Sequence, residues 1–322
     1  MDSVFTSFKL RSQGERYTWG AWTLFVILSS LTGDSIILVA STKYRAFKLN
    51  KFTTTFIQHL AVSDLILAVT YVLPTFLSLV ANKWPFGGTL CHLQVYPVWL
   101  CAQLSMNMVC AMTTTKIIQL KYPLQARSWS KTAAHRVCAG IWLLSLYYPI
   151  CFLAIDPDDA VFDYRVYFCN PSLSSDTWKV LMPVSFAVFG VIPNIIIITT
   201  TVALLLKARQ AVNGRETSLK WQGVMTVVLT ASVYIVTYLP ITVYFIGAPF
   251  VSSIWFHLQY HRVAVSLTHT NIMANFFVYS LTVDSFRSFL KRLLLCLPIT
   301  YTAIYQGITE DYEPMLFRVG HP

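Results

Sequence analysis

Hydrophobic residues in this chain are arranged in long runs, and short polar segments separate the runs. A helix needs about 20 mostly apolar residues to cross the bilayer core, because lipid offers exposed backbone groups no hydrogen-bond partner. Seven runs meet this length, at residues 17–40, 56–80, 96–120, 137–155, 180–206, 224–251 and 263–281. The pattern therefore predicts an all-α fold, a bundle of seven transmembrane helices.

The composition supports a membrane protein. Hydrophobic residues make up 55% of the 322 residues and charged residues 12%, whereas soluble domains carry about 25% charged residues.

The sequence contains no Gly-rich phosphate loop, no HExxH motif and no nucleophile elbow, so no enzymatic activity is predicted.

The distribution of basic residues predicts the orientation. Seventeen of the 24 Lys and Arg residues follow the first, third, fifth and seventh runs, and cytoplasmic loops of membrane proteins collect such residues. We therefore expect a multi-pass protein of the plasma membrane with its N-terminus outside. The net charge of +10 is then explained by loops facing anionic lipid headgroups, and no nucleic-acid binding is predicted.

Four segments are expected along the chain: an extracellular N-terminus (1–16), the seven-helix domain (17–283), an amphipathic eighth helix (284–296) and a cytoplasmic tail (297–322). The segment 284–296 mixes cations with apolar residues, as an interfacial helix does. Cys296 at its end is either a palmitoylation site or an unmodified thiol.

Two of the seven cysteines, Cys91 and Cys169, are predicted to lie outside the cell, where disulfides form. Cys91 precedes the third span and Cys169 lies in the loop after the fourth. A disulfide between them would tie the longest outer loop to the bundle. The alternative is two unrelated thiols.

Several motifs occur in a recognisable order. They are Gly33-Asp34, LAVSDL at 60–65, WPFGGTLC at 84–91, Trp142, Pro193, TYLP at 237–240, NFFVY at 275–279 and Phe286. In order and spacing the chain resembles the rhodopsin-type (class A) family of G-protein-coupled receptors, over approximately residues 17–295. The family pattern also implies the disulfide between Cys91 and Cys169.

The resemblance implies a sodium site in the membrane. Asp64 stands where family members bind Na⁺, and Ser105, Asn271 and Asn275 match the types of its neighbours. Asp34 departs from the family, which has Asn there, so we expect the two carboxylates to share a proton or bind a cation. Na⁺ is the one candidate cofactor, and the alternative is a hydrogen-bonded polar core without an ion.

The resemblance also implies a conformational switch. Its residues here are Lys116, Pro193, Tyr234, Tyr238, Pro240 and Tyr279. Three positions at the inner end depart from the family. Thr115-Lys116-Ile117 replaces Asp-Arg-Tyr, Thr201 replaces a tyrosine, and Phe276 replaces a proline. Either coupling uses a divergent interface, or the protein is a scavenger-type receptor that no longer activates G proteins.

A ligand pocket is expected at the outer ends of the third, sixth and seventh spans. Its candidate residues are Gln94, Val98, Trp99, Gln103, Tyr238 and His269. Val98 replaces the aspartate of amine receptors and His269 the lysine of opsins, so neither an amine nor retinal is expected.

Four acids precede Cys169 in a segment that alternates as a β-hairpin would, namely Asp156, Asp158, Asp159 and Asp163. Acids at a pocket mouth attract cations, which favours a cationic peptide ligand; the alternative is a solvated acidic loop. A heterotrimeric G protein and arrestin are the expected inner partners. The alternative from another class is a cation- or proton-coupled transporter using Asp34 and Asp64.

Overall fold

The computed structural model describes residues 13–44, 46–47, 49–155, 160–171, 180, 183–212, 218–248, 250–253 and 256–294. The predictions for Cys296, for Asp156, Asp158 and Asp159, and for the tail lie outside these residues.

Helices occupy all seven predicted spans. The first span is α1 (Gln13–Thr42). The second consists of α2 (Lys51–Leu67), a π turn (Ala68–Val72) and α3 (Leu73–Ala81), and the third is α4 (Gly87–Lys121), followed by a short α5 (Pro123–Arg127).

The fourth span consists of α6 (Lys131–Ser145) and α7 (Tyr147–Ile155), and the fifth of a π turn (Ala187–Val191) and α8 (Ile192–Val212). The sixth span is α9 (Ser218–Gly247), and the seventh consists of a π turn (Phe256–Tyr260) and α10 (His261–Thr282). A last helix, α11, covers 284–294.

Among the described residues, six helices are long and apolar enough to cross a membrane by composition alone. The seventh span is less apolar because it carries polar residues such as His269, Asn271 and Asn275, which are buried inside the bundle. Large hydrophobic side chains elsewhere point outwards, including Leu28, Leu143 and Leu281. Such exposed apolar faces are what a lipid solvent permits.

Prolines shape several spans because each removes a backbone hydrogen bond. The π turns at Ala68–Val72 and Ala187–Val191 precede Pro74 and Pro193, and Pro240 lies inside the sixth span. Pro97 also lies within a helix. We expected the third span to begin at residue 96, so sequence reasoning missed this interior proline.

The loop between the fourth and fifth spans forms a hairpin. Strand β1 (Ala160–Asp163) pairs antiparallel with β2 (Phe168–Pro171), and Phe162 lies opposite Cys169. The hairpin is joined to the third span by the Cys91–Cys169 disulfide, with the two Cα atoms 5.4 Å apart. We call this end of the bundle the hairpin end, and the opposite end the Lys116 end.

Candidate functional site

An apolar cavity of about 730 Å³, counting space open to solvent, lies between the spans at the hairpin end. No charged side chain lines it among the described residues. The walls are aromatic and aliphatic, with a few hydroxyl and amide groups. The lining residues that matter below are Val98, Trp99, Gln103, Tyr148, Phe186, Tyr238 and Phe245.

Four of the six predicted ligand-binding residues line this cavity: Val98, Trp99, Gln103 and Tyr238. Gln94 does not, because its side chain holds the hairpin. Its Nε2 donates to Thr70 O over 3.1 Å, and its Oε1 accepts from Cys169 N over 3.1 Å. His269 does not line the cavity either; it is buried behind Tyr71, with ring centroids 4.6 Å apart.

Two hydrogen-bond donors in the cavity wall have no protein partner among the described residues: Trp99 Nε1 and Tyr148 OH. Both atoms are buried, and their rings pack together with centroids 5.4 Å apart. An unpaired buried donor costs about 1–3 kcal/mol. A ligand that carries hydrogen-bond acceptors would remove this cost.

The Trp99 ring belongs to an aromatic cluster that sequence reasoning missed, formed by Trp99, Tyr148, Phe186 and Phe245 from the third to sixth spans. Phe186 and Phe245 stack with centroids 4.7 Å apart, and Trp99 lies 5.2 Å from Phe245. Aromatic residues near the hairpin end of each span were the available signal. The sequence alone did not indicate which ring faces inwards.

The hairpin covers the cavity through Phe168 and Asn170, which were not among the predicted site residues. In its turn, the Arg165 backbone N–H donates to Asp163 Oδ1 over 2.8 Å, which places the Arg165 side chain beside the carboxylate. The guanidinium contacts the carboxylate through Nε at 2.8 Å and Nη2 at 2.7 Å.

This ion pair changes the prediction about acids at the mouth. Burial alone would raise the pKa of Asp163, but the adjacent Arg165 guanidinium outweighs burial and lowers it. The charge is thus balanced within the hairpin, and Asp163 is only 9% exposed. Asp163 alone therefore gives little support to the prediction that acids at the mouth attract a cationic ligand, which stays a prediction because Asp156, Asp158 and Asp159 lie outside the described residues.

A polar cluster lies deeper in the bundle, where Asp34 and Asp64 are both buried. Ser30 Oγ donates to Asp34 Oδ2 and Asn275 Nδ2 to Asp64 Oδ2, each over 2.6 Å. The second oxygen of each carboxylate is buried with no hydrogen-bond partner among the described residues.

The other predicted sodium ligands, Ser105 and Asn271, are also buried. Ser105 Oγ lies 3.4 Å from Ser63 Oγ, the neighbour of Asp64, and Asn271 Oδ1 accepts from Thr237 over 3.1 Å. Oxygen donors of this kind suit a hard cation. With two unpartnered carboxylate oxygens, the residues fit the Na⁺ that the resemblance implies.

The predicted switch residues are spread along the bundle, and two of them, Tyr234 and Tyr238, line the cavity. Tyr234 and Tyr238 stack with centroids 4.7 Å apart and planes 10° apart, and both are buried. Pro240 follows in the same helix, and Tyr279 OH reaches Asn275 Oδ1 over 3.4 Å. A change at the cavity floor would therefore act directly on the helix that contains the Pro240 bend.

At the opposite end, Lys116 is buried and reaches the sixth span. A Cβ added at Gly223 would lie 2.6 Å from Lys116 Nζ, so the ammonium group rests on the glycine backbone. Thr201, which replaces the family's tyrosine, is buried, and its hydroxyl has no partner among the described residues.

Gln222, Asp284 and Arg287 form a second contact at this end, which we call the inner clasp. Gln222 Nε2 donates to Asp284 Oδ2, and Arg287 Nη1 lies 3.1 Å from Asp284 Oδ1. The clasp connects the sixth span to α11. Neither Gln222 nor Asp284 was among the residues predicted from the sequence.

Comparison with known proteins agrees with this architecture. The family described as 7 transmembrane receptor (rhodopsin family) matches residues 35–279. The Substance-K receptor of Canis lupus familiaris is 25% identical over 313 residues, covering 92% of this chain and 80% of that receptor.

Two further relatives have other ligands in their names. The S-geranylgeranyl-glutathione receptor P2RY8 of Homo sapiens is 26% identical, covering 75% of this chain and 70% of its own length. The D(1) dopamine receptor of Carassius auratus is 29% identical, covering 44% of this chain and 39% of its own length. The chain therefore belongs to the rhodopsin family of seven-transmembrane receptors, whose members are receptors and not enzymes.

Proposed function

We propose that this receptor binds an extracellular peptide whose uncharged, apolar end enters the cavity at the hairpin end. The observation that carries this proposal is the pair of unpartnered donors, Trp99 Nε1 and Tyr148 OH, in a cavity without charged side chains. Backbone carbonyl groups of a peptide supply acceptors for both donors, and apolar side chains suit the aromatic walls.

The relatives do not decide the ligand, since their names give substance K, S-geranylgeranyl-glutathione and dopamine. The cavity is more informative. Burying a ligand's charge without a partner is costly, and the cavity offers no carboxylate within the described residues. We therefore place any cationic part of the peptide outside the cavity and its neutral part inside.

The hairpin end is proposed to face the outside of the plasma membrane, because most Lys and Arg residues lie at the Lys116 end. An epitope tag before residue 13 should be stained by an antibody on intact cells. Staining only after permeabilisation would contradict this orientation.

Signalling is proposed to pass from the cavity through the Tyr234 and Tyr238 stack to the sixth span, and then to a G protein, with arrestin as a second partner. The alternative of a non-coupling receptor is favoured by one observation. Lys116 is buried on Gly223 and lacks the bidentate donors of the arginine that it replaces.

A peptide-library screen, read by G-protein activation and arrestin recruitment in parallel, tests both the proposed peptide binding and the proposed signalling. We expect peptides with apolar, uncharged termini among the active ones. Arrestin recruitment without G-protein activation would support the non-coupling alternative. A confirmed binder that produces neither response would support a scavenger.

Matched variants then locate the ligand. Tyr148→Phe and Trp99→Phe keep a ring and remove a donor, so each should weaken binding about 5- to 30-fold. Tyr147→Phe is the control, because its hydroxyl contacts Ser185 and its side chain does not line the cavity. Equal affinity in all three variants would contradict the proposed binding mode.

A further inference from the structure

We propose that Trp142, His59 and His135 form a proton-sensitive contact between the second and fourth spans, which is closed while both histidines are neutral and opens when His135 takes up a proton. His59 lies in α2, and the other two residues lie in α6. The contact belongs to the resting protein, so its test needs neither the ligand nor a G protein. Only the compartment that it senses, the cytosol, rests on the orientation proposed above.

Three ring nitrogens connect the two spans in sequence. Trp142 Nε1 lies 3.1 Å from His59 Nδ1, and His59 Nε2 lies 3.4 Å from His135 Nδ1. The two imidazole rings meet edge to face, with centroids 5.6 Å apart and planes 66° apart. The side chains thus form a chain of hydrogen bonds from α6 to α2 and back to α6.

The indole of Trp142 fixes where the protons lie. An indole N–H only donates, so His59 Nδ1 accepts this bond and carries no proton. A neutral imidazole has a single N–H, which for His59 is then on Nε2 and is donated to His135 Nδ1. That nitrogen must also be unprotonated, so the chain forms only when both histidines are neutral.

An added proton breaks the chain at a defined bond. His135 is exposed and His59 is half-buried, so His135 takes the proton first, because solvent stabilises its charge. The proton binds at Nδ1, which then no longer accepts from His59 Nε2. Two N–H groups would face each other, and the His135 ring turns away from α2. Histidine side chains take up a proton near pH 6.5, so the contact opens on mild acidification.

The surrounding charges do not favour a protonated pair. Neither α4 nor α6 contains an acid, and the one acid of α2 is Asp64, which lies five residues after His59 and is turned about 140° around the helix. Among the described residues, the one charge that acts on His59 is that of His135. The other ionisable groups at this end of the three helices are basic side chains and two free thiols: Lys51, Lys116, Lys121, Lys131, Arg136, Cys110 and Cys138. An imidazolium would therefore find no carboxylate to pair with.

The position of the pair decides which side of the membrane it senses. His135 lies four residues after the exposed Lys131, the first residue of α6, and so about 6 Å along the helix axis from it. This is the Lys116 end of the bundle, which we place in the cytosol. Protons from the cytosol can thus reach His135 without crossing the bilayer core.

A metal ion held between the two histidines is the main competing arrangement. Ligand nitrogens at 2.0–2.1 Å from a tetrahedral Zn²⁺ lie about 3.4 Å apart, so the spacing alone would permit it. However, His59 Nε2 would then have to be unprotonated, and its proton would lie on Nδ1, facing the N–H of Trp142. No group of three or more His, Cys, Asp or Glu side chains that could hold a metal occurs in the part of the chain described. The hydrogen bond from Trp142 therefore favours the proton.

The test uses the full-length protein purified in detergent, with thermal unfolding followed from pH 7.5 to pH 5.5 at constant ionic strength. In His135→Gln, the amide oxygen accepts from His59 Nε2 at every pH, because it takes up no proton. The unfolding midpoint of the unmodified protein should therefore fall by about 1–2 °C more than that of His135→Gln over this range. In the ¹⁵N spectrum of histidine-labelled protein at pH 7.5, both histidines should carry their proton on Nε2.

Two further variants separate charge from shape. His135→Lys carries a permanent charge and no acceptor, so its midpoint should lie about 1–2 °C below that of His135→Gln at both pH values. His92→Gln replaces a histidine near the start of α4, at the hairpin end. It is the control, and it should keep the pH dependence of the unmodified protein.

An equal fall of the midpoint in the unmodified protein and in His135→Gln would overturn the proposal. So would a proton on Nδ1 of His59 at pH 7.5, because Trp142 could then not donate to it. If ZnCl₂ at pH 7.5 raised the midpoint of the unmodified protein but not that of His135→Gln, the pair would be a metal site and the proposal would be wrong.

Discussion

The contact between the first and seventh spans gives a stringent test of the structure, because Gly33 packs directly on Phe276. A Cβ added at Gly33 would lie 2.8 Å from both Cβ and Cγ of Phe276 and 3.2 Å from Cδ2. Carbon atoms in contact are normally about 3.5–4.0 Å apart. The added methyl group therefore forces the two helices apart or displaces the ring.

The loss of stability expected for Gly33→Ala depends on which atoms of Phe276 are contacted. Two of the close contacts are with Cβ and Cγ of Phe276, which cannot rotate away as the tip of a flexible side chain can. Overpacking of this kind costs about 1–3 kcal/mol. Gly33→Ala also gains up to about 1 kcal/mol of helix propensity, so a control must remove that contribution.

Gly20→Ala provides this control in the same helix, because nothing lies within 4 Å of a Cβ added there. It shares the gain in helix propensity and lacks the clash. We therefore expect Gly33→Ala to be less stable than Gly20→Ala by about 2 kcal/mol, the middle of the range for overpacking. For a chain of 322 residues, that difference lowers the unfolding midpoint by about 3 °C.

The assay is thermal unfolding of the purified protein, followed by a dye that reacts with thiols as the buried Cys101 and Cys138 become exposed. In a Phe276→Ala background, Gly33→Ala should cost less, because the contacts with Cγ and Cδ2 are gone, although the 2.8 Å contact with Cβ remains. Equal midpoints for Gly33→Ala and Gly20→Ala would refute the packing of Gly33 against Phe276.

Three further predictions concern the hairpin and the inner clasp. Asp163→Ala should lower the free energy of unfolding by about 3 kcal/mol at neutral pH. Because the pKa of Asp163 is lowered in the fold, the difference should shrink only as pH falls below about 4, in unfolding measured across pH. Replacing Cys91 and Cys169 with Ser opens a loop closed over a sequence separation of 78, which should cost up to about 4 kcal/mol; an unchanged unfolding midpoint would contradict this. Gln222→Ala removes the bond to Asp284 and should raise ligand-independent G-protein activation about 2- to 10-fold, and no rise in a chain that couples would rule out a restraining role for the clasp.

The seven spans and the disulfide were predictable because lipid imposes strong constraints on sequence. Every backbone group must be paired inside a helix, which requires long apolar runs. Cys91 and Cys169 were identified by their position outside those runs. The helix ends were less accurate, since the first and third helices continue beyond the apolar run to Gln13 and Gly87.

The composition of the cavity was less predictable, for a physical reason. A helix that is apolar on all sides carries no polar stripe to indicate which face is buried. Trp99 was predicted from its position at the outer end of the third span, but Tyr148 and Phe186 were not. The pairing of Asp163 with Arg165 depends on the local turn in which the Arg165 backbone N–H donates to Asp163 Oδ1, which charge alone does not reveal.

The residue at position 116, where this chain differs from the family, can be explained by the residues around it. Lysine lacks the planar fork of arginine and cannot form a bidentate pair, and here Gly223 gives its ammonium group room against the sixth span. The inner clasp also contacts the sixth span, because Asp284 accepts a hydrogen bond from Gln222 of that span and pairs with Arg287. Because the groups of the inner clasp lie partly in solvent, each of its contacts is weak.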